Sequence, residues 1–200
     1  MESEARLELS SESSERAIEA ISRYLVELGI DLSDERLRET PRRIVEGHRE
    51  MLSGYRFEAS SMVGETIPGD HDGMVIVGDI GFASLCEHHM LPFFGTVDLA
   101  YLPNAQGHVV GLSKVARLVE VLSQRLQVQE RMTMEIVRAM IDGFSPRGVL
   151  VVVRAEHLCV TARGVKSRGS IVTTTFASGE LRESGAQAYE ARALILGQGR

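Results

Sequence analysis

The chain has 200 residues, 44% hydrophobic and 25% charged, enough for one ordinary domain with a real core and typical of a globular protein. Its formal net charge of −6 argues against a nucleic-acid or membrane-surface role. The longest aliphatic run, Val149–Val153, falls far short of a bilayer span. The opening stretch MESEARLELSSESSER is polar and acidic with no apolar core, so it does not read as a signal peptide, and the expected compartment is the cytoplasm. Thiols stay reduced there, so the two cysteines point to metal binding, catalysis or burial before a disulfide.

In chain order, residues 1–12 are rich in Ser and Glu without a sustained period and read as a disordered tail. Ile18, Ile21, Leu25 and Leu28 recur at helical spacing from about Ser13, and Gly29 is placed to stop that helix. Thr40-Pro41 reads as an N-cap followed by proline at the first helical position, opening a helix with Ile44, Val45, His48, Met51 and Leu52. These two helices define an N-terminal helical segment over 13–54, with the main domain over 55–200. A long connection rich in turn formers follows.

Strand character begins at Met74–Ile80. In GTVDLAYLP, Val97, Leu99 and Tyr101 alternate with Thr96, Asp98 and Ala100. Between these strands lies SLCEHHMLPF, at a strand end or in a tight loop. Ser113 is the expected N-cap of a helix with Val115, Leu118, Val119 and Leu122 as its buried stripe. A further helix runs from about Val128 to Asp142, with Met132, Ile136 and Met140 in register and Gly143 and Pro146 as stops. The β-branched run GVLVVVRAEHLCVTA reads as a central strand and GSIVTTTF as its partner. Helices, strands, helices and strands in that order make an α+β pattern, with no internal repeat.

The cysteines and histidines carry the chemical signal. Cys86 stands just before the His88-His89 pair, and Cys159 stands two residues after His157, so half of the six histidines lie within three residues of a cysteine. Thiolate and imidazole are the ligands zinc prefers, and a catalytic zinc keeps three protein ligands and one open position. Cys86, one histidine of the pair and Cys159 would supply that number. If EHLC continues the strand, His157 and Cys159 share one face, as two ligands or as a ligand and an acid-base group. Adjacent His88 and His89 cannot both point the same way in an extended segment. Paired C-x-x-C knuckles, the deaminase pattern and H-E-x-x-H are all missing. A basic subset, Lys114, Arg117, Arg163, Lys166 and Arg168, suits a small polyanionic ligand on an otherwise acidic chain.

Three stretches, CEHHMLPFFGTVDLAYLP, GLSKVARLVEVLSQRLQVQERMT and EHLCVTARGVKSRGSIVTTT, together closely resemble the zinc-dependent GTP cyclohydrolase I family over about residues 38–182. The resemblance implies conversion of GTP and water to 7,8-dihydroneopterin triphosphate and formate, the first step of folate and pterin synthesis. It implies a tunnelling fold (T-fold) of antiparallel sheet and helices. It also implies a homodecamer of two pentamers with sites at subunit interfaces and a possibility of allosteric control. By the same resemblance Cys86, His89 and Cys159 are the ligands of Zn2+, and His88 and His157 handle protons. Glu130 anchors guanine with Gln129 beside it, a two-point contact that adenine cannot make. Ser113, Lys114, Arg117, Arg163 and Arg43 contact the triphosphate, Arg43 reaching into a neighbouring subunit's site. No nucleic-acid or membrane partner is implied.

The sequence departs from the family pattern after Gly179, where Glu180-Leu181 replaces an aliphatic residue and Phe, and its C-terminal stretch matches only loosely. Two other readings share this scaffold. One is the same reaction serving deazapurine or secondary-metabolite synthesis. The other is a non-catalytic, zinc-stabilised oligomer, against which the presence of Glu130, His157 and Lys114 speaks. A nitrile-reducing branch of the same fold is disfavoured by the Cys-His-His and His-x-Cys pairs and by QVQER.

Overall fold

The computed structural model describes residues 11–197. Most of the expected tail, 1–12, lies outside them, but Ser11 and Glu12 already belong to the first helix, α1 (Ser11–Glu27), so the helix starts two residues earlier than its periodicity suggests. Ile18, Ile21 and Leu25 are half-buried, while Leu28 lies beyond the helix end and is exposed. α1 packs on α2 (Thr40–Met51). There the cap is Glu39, and Thr40 is the first helical residue because its N–H is already bonded to Leu37 O.

The long connection after α2 folds into two short 3-10 helices, Ser53–Arg56 and Ala59–Val63, and then a short strand, β1 (Thr66–Ile67). β1 pairs with β4 (Val109–Val110) away from the main sheet. The main sheet has the order β5-β2-β3-β6-β7. Its members are β2 (Val75–Cys86), β3 (Pro92–Leu102), β5 (Leu126–Gln127), β6 (Gly148–His157) and β7 (Ile171–Gly179). All neighbours are antiparallel except β2 and β5, which run parallel. With its helices this is the α+β, antiparallel-sheet architecture that the sequence leads one to expect.

One face of the sheet presents Val97, Leu99 and Tyr101 of β3 and Val149, Val151 and Val153 of β6, none of them exposed. It packs on α3 (Leu112–Ser123) and α4 (Gln129–Phe144) through Val115, Leu118, Val119, Leu122, Met132, Ile136 and Met140. Each such side chain contributes about 1.5–3 kcal/mol by leaving water. The stripes are the ones the sequence periodicity marks. The cap of α3, however, is Gly111, and Ser113 is the second residue inside the helix.

The opposite face is also buried over part of its area. Ala100, Leu102, Leu150 and Val152 lie under Leu181 and under Ala191 and Ile195 of a last helix, α6 (Ala186–Gly197). Leu181, one of the residues that departs from the family pattern, is therefore a core residue. On this face Asp98 is only 1% exposed. Its carboxylate accepts the backbone N–H of Asp79 at 2.9 Å and meets Arg154 Nη2 at 2.8 Å. A buried carboxylate requires such partners. Asp79, at φ 54°, sits where the β2–β3 register shifts between Val77 and Ile80, so Asp98 fastens a β-bulge.

Gly143 does not end α4, which continues to Phe144 and is capped by Ser145 in the left-handed region at φ 53°. The role of Gly143 is close approach: a Cβ there would stand 2.2 Å from Ser60 O and 2.6 Å from Val63 Cγ2. Gly143→Ala is expected to destabilise the fold by about 1–3 kcal/mol, the usual cost of overpacking, as a lowered denaturant midpoint. An unchanged midpoint would show that the 3-10 turn yields freely.

Candidate active site

β2 and β6 both run antiparallel to β3, which lies between them, so their C-terminal ends emerge at the same edge of the sheet. β5 is parallel to β2 and ends at that edge too, leading directly into the N-terminus of α4. Cys86, His157 and the Gln129-Glu130 pair are thereby gathered from three distant parts of the sequence.

Cys86 is the last residue of β2 and is buried. A tight turn follows: Cys86 O accepts the N–H of Met90 at 2.8 Å, and Cys86 N donates to Leu91 O at 2.9 Å. Met90 takes a left-handed φ of 53° to close it. The turn is fastened to α4 from outside, because Arg131 Nη2 donates to Glu87 Oε2 at 2.6 Å and to Leu126 O at 2.7 Å. His88 and His89 are both exposed, with ring centroids 6.4 Å apart at 75°. The two rings meet edge to face within the turn. The ring that meets Cys86 is that of His88, its Nδ1 3.7 Å from Sγ, whereas the resemblance assigns the ligand role to His89.

The expectation that EHLC continues the strand does not hold. β6 stops at His157, and Cys159 lies in a one-turn helix, α5 (Leu158–Thr161). The reason is geometric. Strands one apart in a sheet are separated by about 9–10 Å, too far for the two sulfurs to meet along straight strands. The helical turn folds back over the start of β3 and closes the gap. Cys159 then comes within hydrogen-bonding reach of Cys86, and its thiol is pushed up by burial first and by the Cys86 sulfur next. Arg163, just beyond α5, opposes the shift weakly, so it stands near the same sulfur. Both cysteines are free thiols.

His157 is held on two sides. Its ring stacks on the fully buried Phe93, its cross-strand neighbour, with centroids 4.6 Å apart at 7°. Its Nε2 lies 2.7 Å from Gln129 Oε1. Burial pulls its pKa down from the ordinary histidine value, and the Glu130 carboxylate partly counteracts that. Glu130 itself is exposed in the first turn of α4, facing this cluster with its charge. Gln129 is only 1% exposed and both ends of its amide are engaged by the protein, which the sequence pattern did not reveal.

The other expected anion-binding residues lie elsewhere in the chain's fold. Ser113 and Arg117 line a cavity of about 560 Å³ with Ile80, Phe82 and Glu50, and the lining includes none of the cysteines and histidines. Lys114 is ion-paired with Glu65 at 2.7 Å. Arg43 is exposed on α2.

Among the described residues no group of three or more histidine, cysteine, aspartate or glutamate side chains stands close enough together to hold a metal ion. The donor chemistry nevertheless fits zinc in part: two neighbouring sulfurs, with two imidazoles on the turn after Cys86. The Cys86 sulfur raises the cost of ionising Cys159, and a divalent cation held there would remove that cost. Among the described residues no helix is long and apolar enough to cross a membrane.

Comparison with known proteins gives a consistent result. The family model described as GTP cyclohydrolase I matches residues 17–196. GTP cyclohydrolase 1 of Dehalococcoides mccartyi is 42% identical over 186 residues, covering 92% of this chain and 98% of the relative. GTP cyclohydrolase 1 of Streptococcus pyogenes is 42% identical over 190 residues, covering 95% and 97%. A solved structure of the archaeosine synthase QueF-like in the apo form overlays on 53% of this chain and 93% of its own, at 18% identity and a TM-score of 0.42.

The meeting of the two sulfurs is directly testable. Mild oxidation of chelator-treated protein is expected to consume both free thiols in one intramolecular disulfide, read by thiol titration and non-reducing mass spectrometry. Two persistent free thiols, or cross-linked chains, would contradict the arrangement.

Proposed function

Because the chain belongs to the GTP cyclohydrolase I family and is an enzyme of that kind, we propose that it opens the imidazole ring of GTP and rearranges the product to 7,8-dihydroneopterin triphosphate, releasing formate. The observation that carries this reading is the gathering of Cys86 and Cys159 from opposite sides of β3 at the edge where His157 and Glu130 also stand. Cys86, Cys159 and His89 would hold a zinc ion. When bound, zinc supplies Lewis-acid activation of water for attack at C8 of the purine.

The chain's own residues do the rest. Glu130 accepts hydrogen bonds from the N1–H and exocyclic amine of guanine, fixing the base in one orientation. His157, beside Glu130 and stacked on Phe93, delivers a proton to N7 as the ring opens. His88, exposed on the turn, serves the later ribose opening and rearrangement as a proton-transfer group. Ser113, Lys114, Arg117, Arg163 and Arg43 bind the triphosphate, and Lys114 exchanges its partner Glu65 for phosphate oxygens. Only Arg163 of these stands beside the sulfurs, which supports a homodecamer in which neighbouring copies complete each site.

The test is incubation of metal-loaded protein with GTP, following formate and, after oxidation, the fluorescent pterin. Wild-type protein is expected to release one formate per pterin formed. Cys159→Ser is expected to lose bound zinc and turnover together. Stoichiometric zinc with normal turnover in that variant would refute the ligand assignment, and absence of formate from the wild type would refute the reaction.

A further inference from the structure

Gln129 shares the neighbourhood of Glu130, but its amide has no free end. Its Nε2 lies 3.0 Å from Val153 O, 3.0 Å from Val172 O and 3.2 Å from Thr174 Oγ1. The first two are backbone carbonyls, which can only accept, so the end facing them is the NH2 group. The amide orientation is thereby fixed, and the carbonyl oxygen Oε1 must face His157 Nε2 at 2.7 Å.

The surrounding hydroxyls agree with this direction. Thr133 Oγ1 donates to Gln129 O at 2.7 Å, because a carbonyl cannot donate. At 2.6 Å, Thr174 Oγ1 must then donate to Thr133 Oγ1, which leaves Thr174 a lone pair for the Gln129 NH2 group. The two hydroxyl hydrogens each have one place to go, and the two hydrogens of the NH2 group are shared among three acceptors. At its end stands an acceptor, Oε1, which only an N–H can satisfy.

We infer that Gln129 is a positioning residue that holds His157 with a permanent hydrogen on Nε2, so that Nδ1 is the nitrogen that takes up a proton from water and passes it to substrate. The stack on Phe93 fixes the plane of the ring, and the Gln129 bond fixes its rotation within that plane. Neither constraint alone sets the direction in which the exchangeable proton points. This inference rests on the reading of His157 as the group that serves N7, and it assigns to that group a specific atom. Gln129 thus acts through His157 and not by touching guanine.

The test uses metal-loaded protein with 13C,15N-labelled histidine and solid-state NMR, His157→Ala providing the assignment. Neutral His157 in the wild type is expected to show the Nε2–H pattern; an Nδ1–H pattern would overturn the inference. Gln129→Leu is expected to lose that single pattern and to lower kcat by about 10²-fold with KM nearly unchanged, as for a misaligned reacting group. A folded Gln129→Leu protein with unaltered spectrum and kcat would also overturn it. Should that variant fail to fold, the wild-type spectrum decides alone. A wild type that shows Nε2–H but consumes no GTP would leave the tautomer standing and sink the proposed reaction.

Discussion

Two sulfurs from opposite sides of β3 have to meet, and the rest of the site follows from how the chain achieves this. β2 and β6 are parallel to each other because each is antiparallel to β3, so Cys86 and His157 exit at one edge. They are still a strand apart. The chain resolves this by abandoning β structure at His157 and making one helical turn, which carries Cys159 back toward Cys86. The same turn leaves His157 as the last strand residue, stacked on Phe93 across the ladder. Position of the thiols and position of the His157 ring are therefore consequences of one backbone event.

The polar groups near this edge are held by partners inside the protein. Arg131 ties Glu87 of the cysteine-histidine turn to the backbone of β5, and Gln127 reaches Glu135 and Leu122 O from the same region. Gln129 and its threonines fix the ring of His157. Buried amides and hydroxyls of this kind are costly unless every donor and acceptor is matched, and matched networks give a single arrangement. The exposed histidines, His88 and His89, are the members of the cluster with the fewest such restraints. Of the two, His88 and not His89 lies against Cys86.

Periodicity made the core legible. The stripes of α3 and α4 and the alternation of Val97, Leu99 and Tyr101 were readable because burial on one face enforces them. The cysteine-histidine spacing singled out residues that the fold gathers at one edge of the sheet, and the resemblance named the family to which the chain belongs. What escaped the sequence was set by tertiary distance. That Cys159 leaves the strand cannot be seen in a β-branched run, because the demand comes from Cys86, over seventy residues earlier. Gly143 looked like a helix stop and is instead a contact with Ser60. Alternation put Asp98 on the face opposite Val97, Leu99 and Tyr101 but could not show that it is buried there against Arg154. Gln129 looked like a substrate contact because it adjoins Glu130. Successive helical residues point in different directions, and this one points into the sheet.

The central claim is that both cysteines bind the same ion. X-ray absorption at the zinc edge of the metal-loaded protein tests it most directly. The account predicts a sulfur shell from two scatterers at about 2.3 Å together with imidazole nitrogen. A spectrum of nitrogen and oxygen alone, or of a single sulfur, would contradict it.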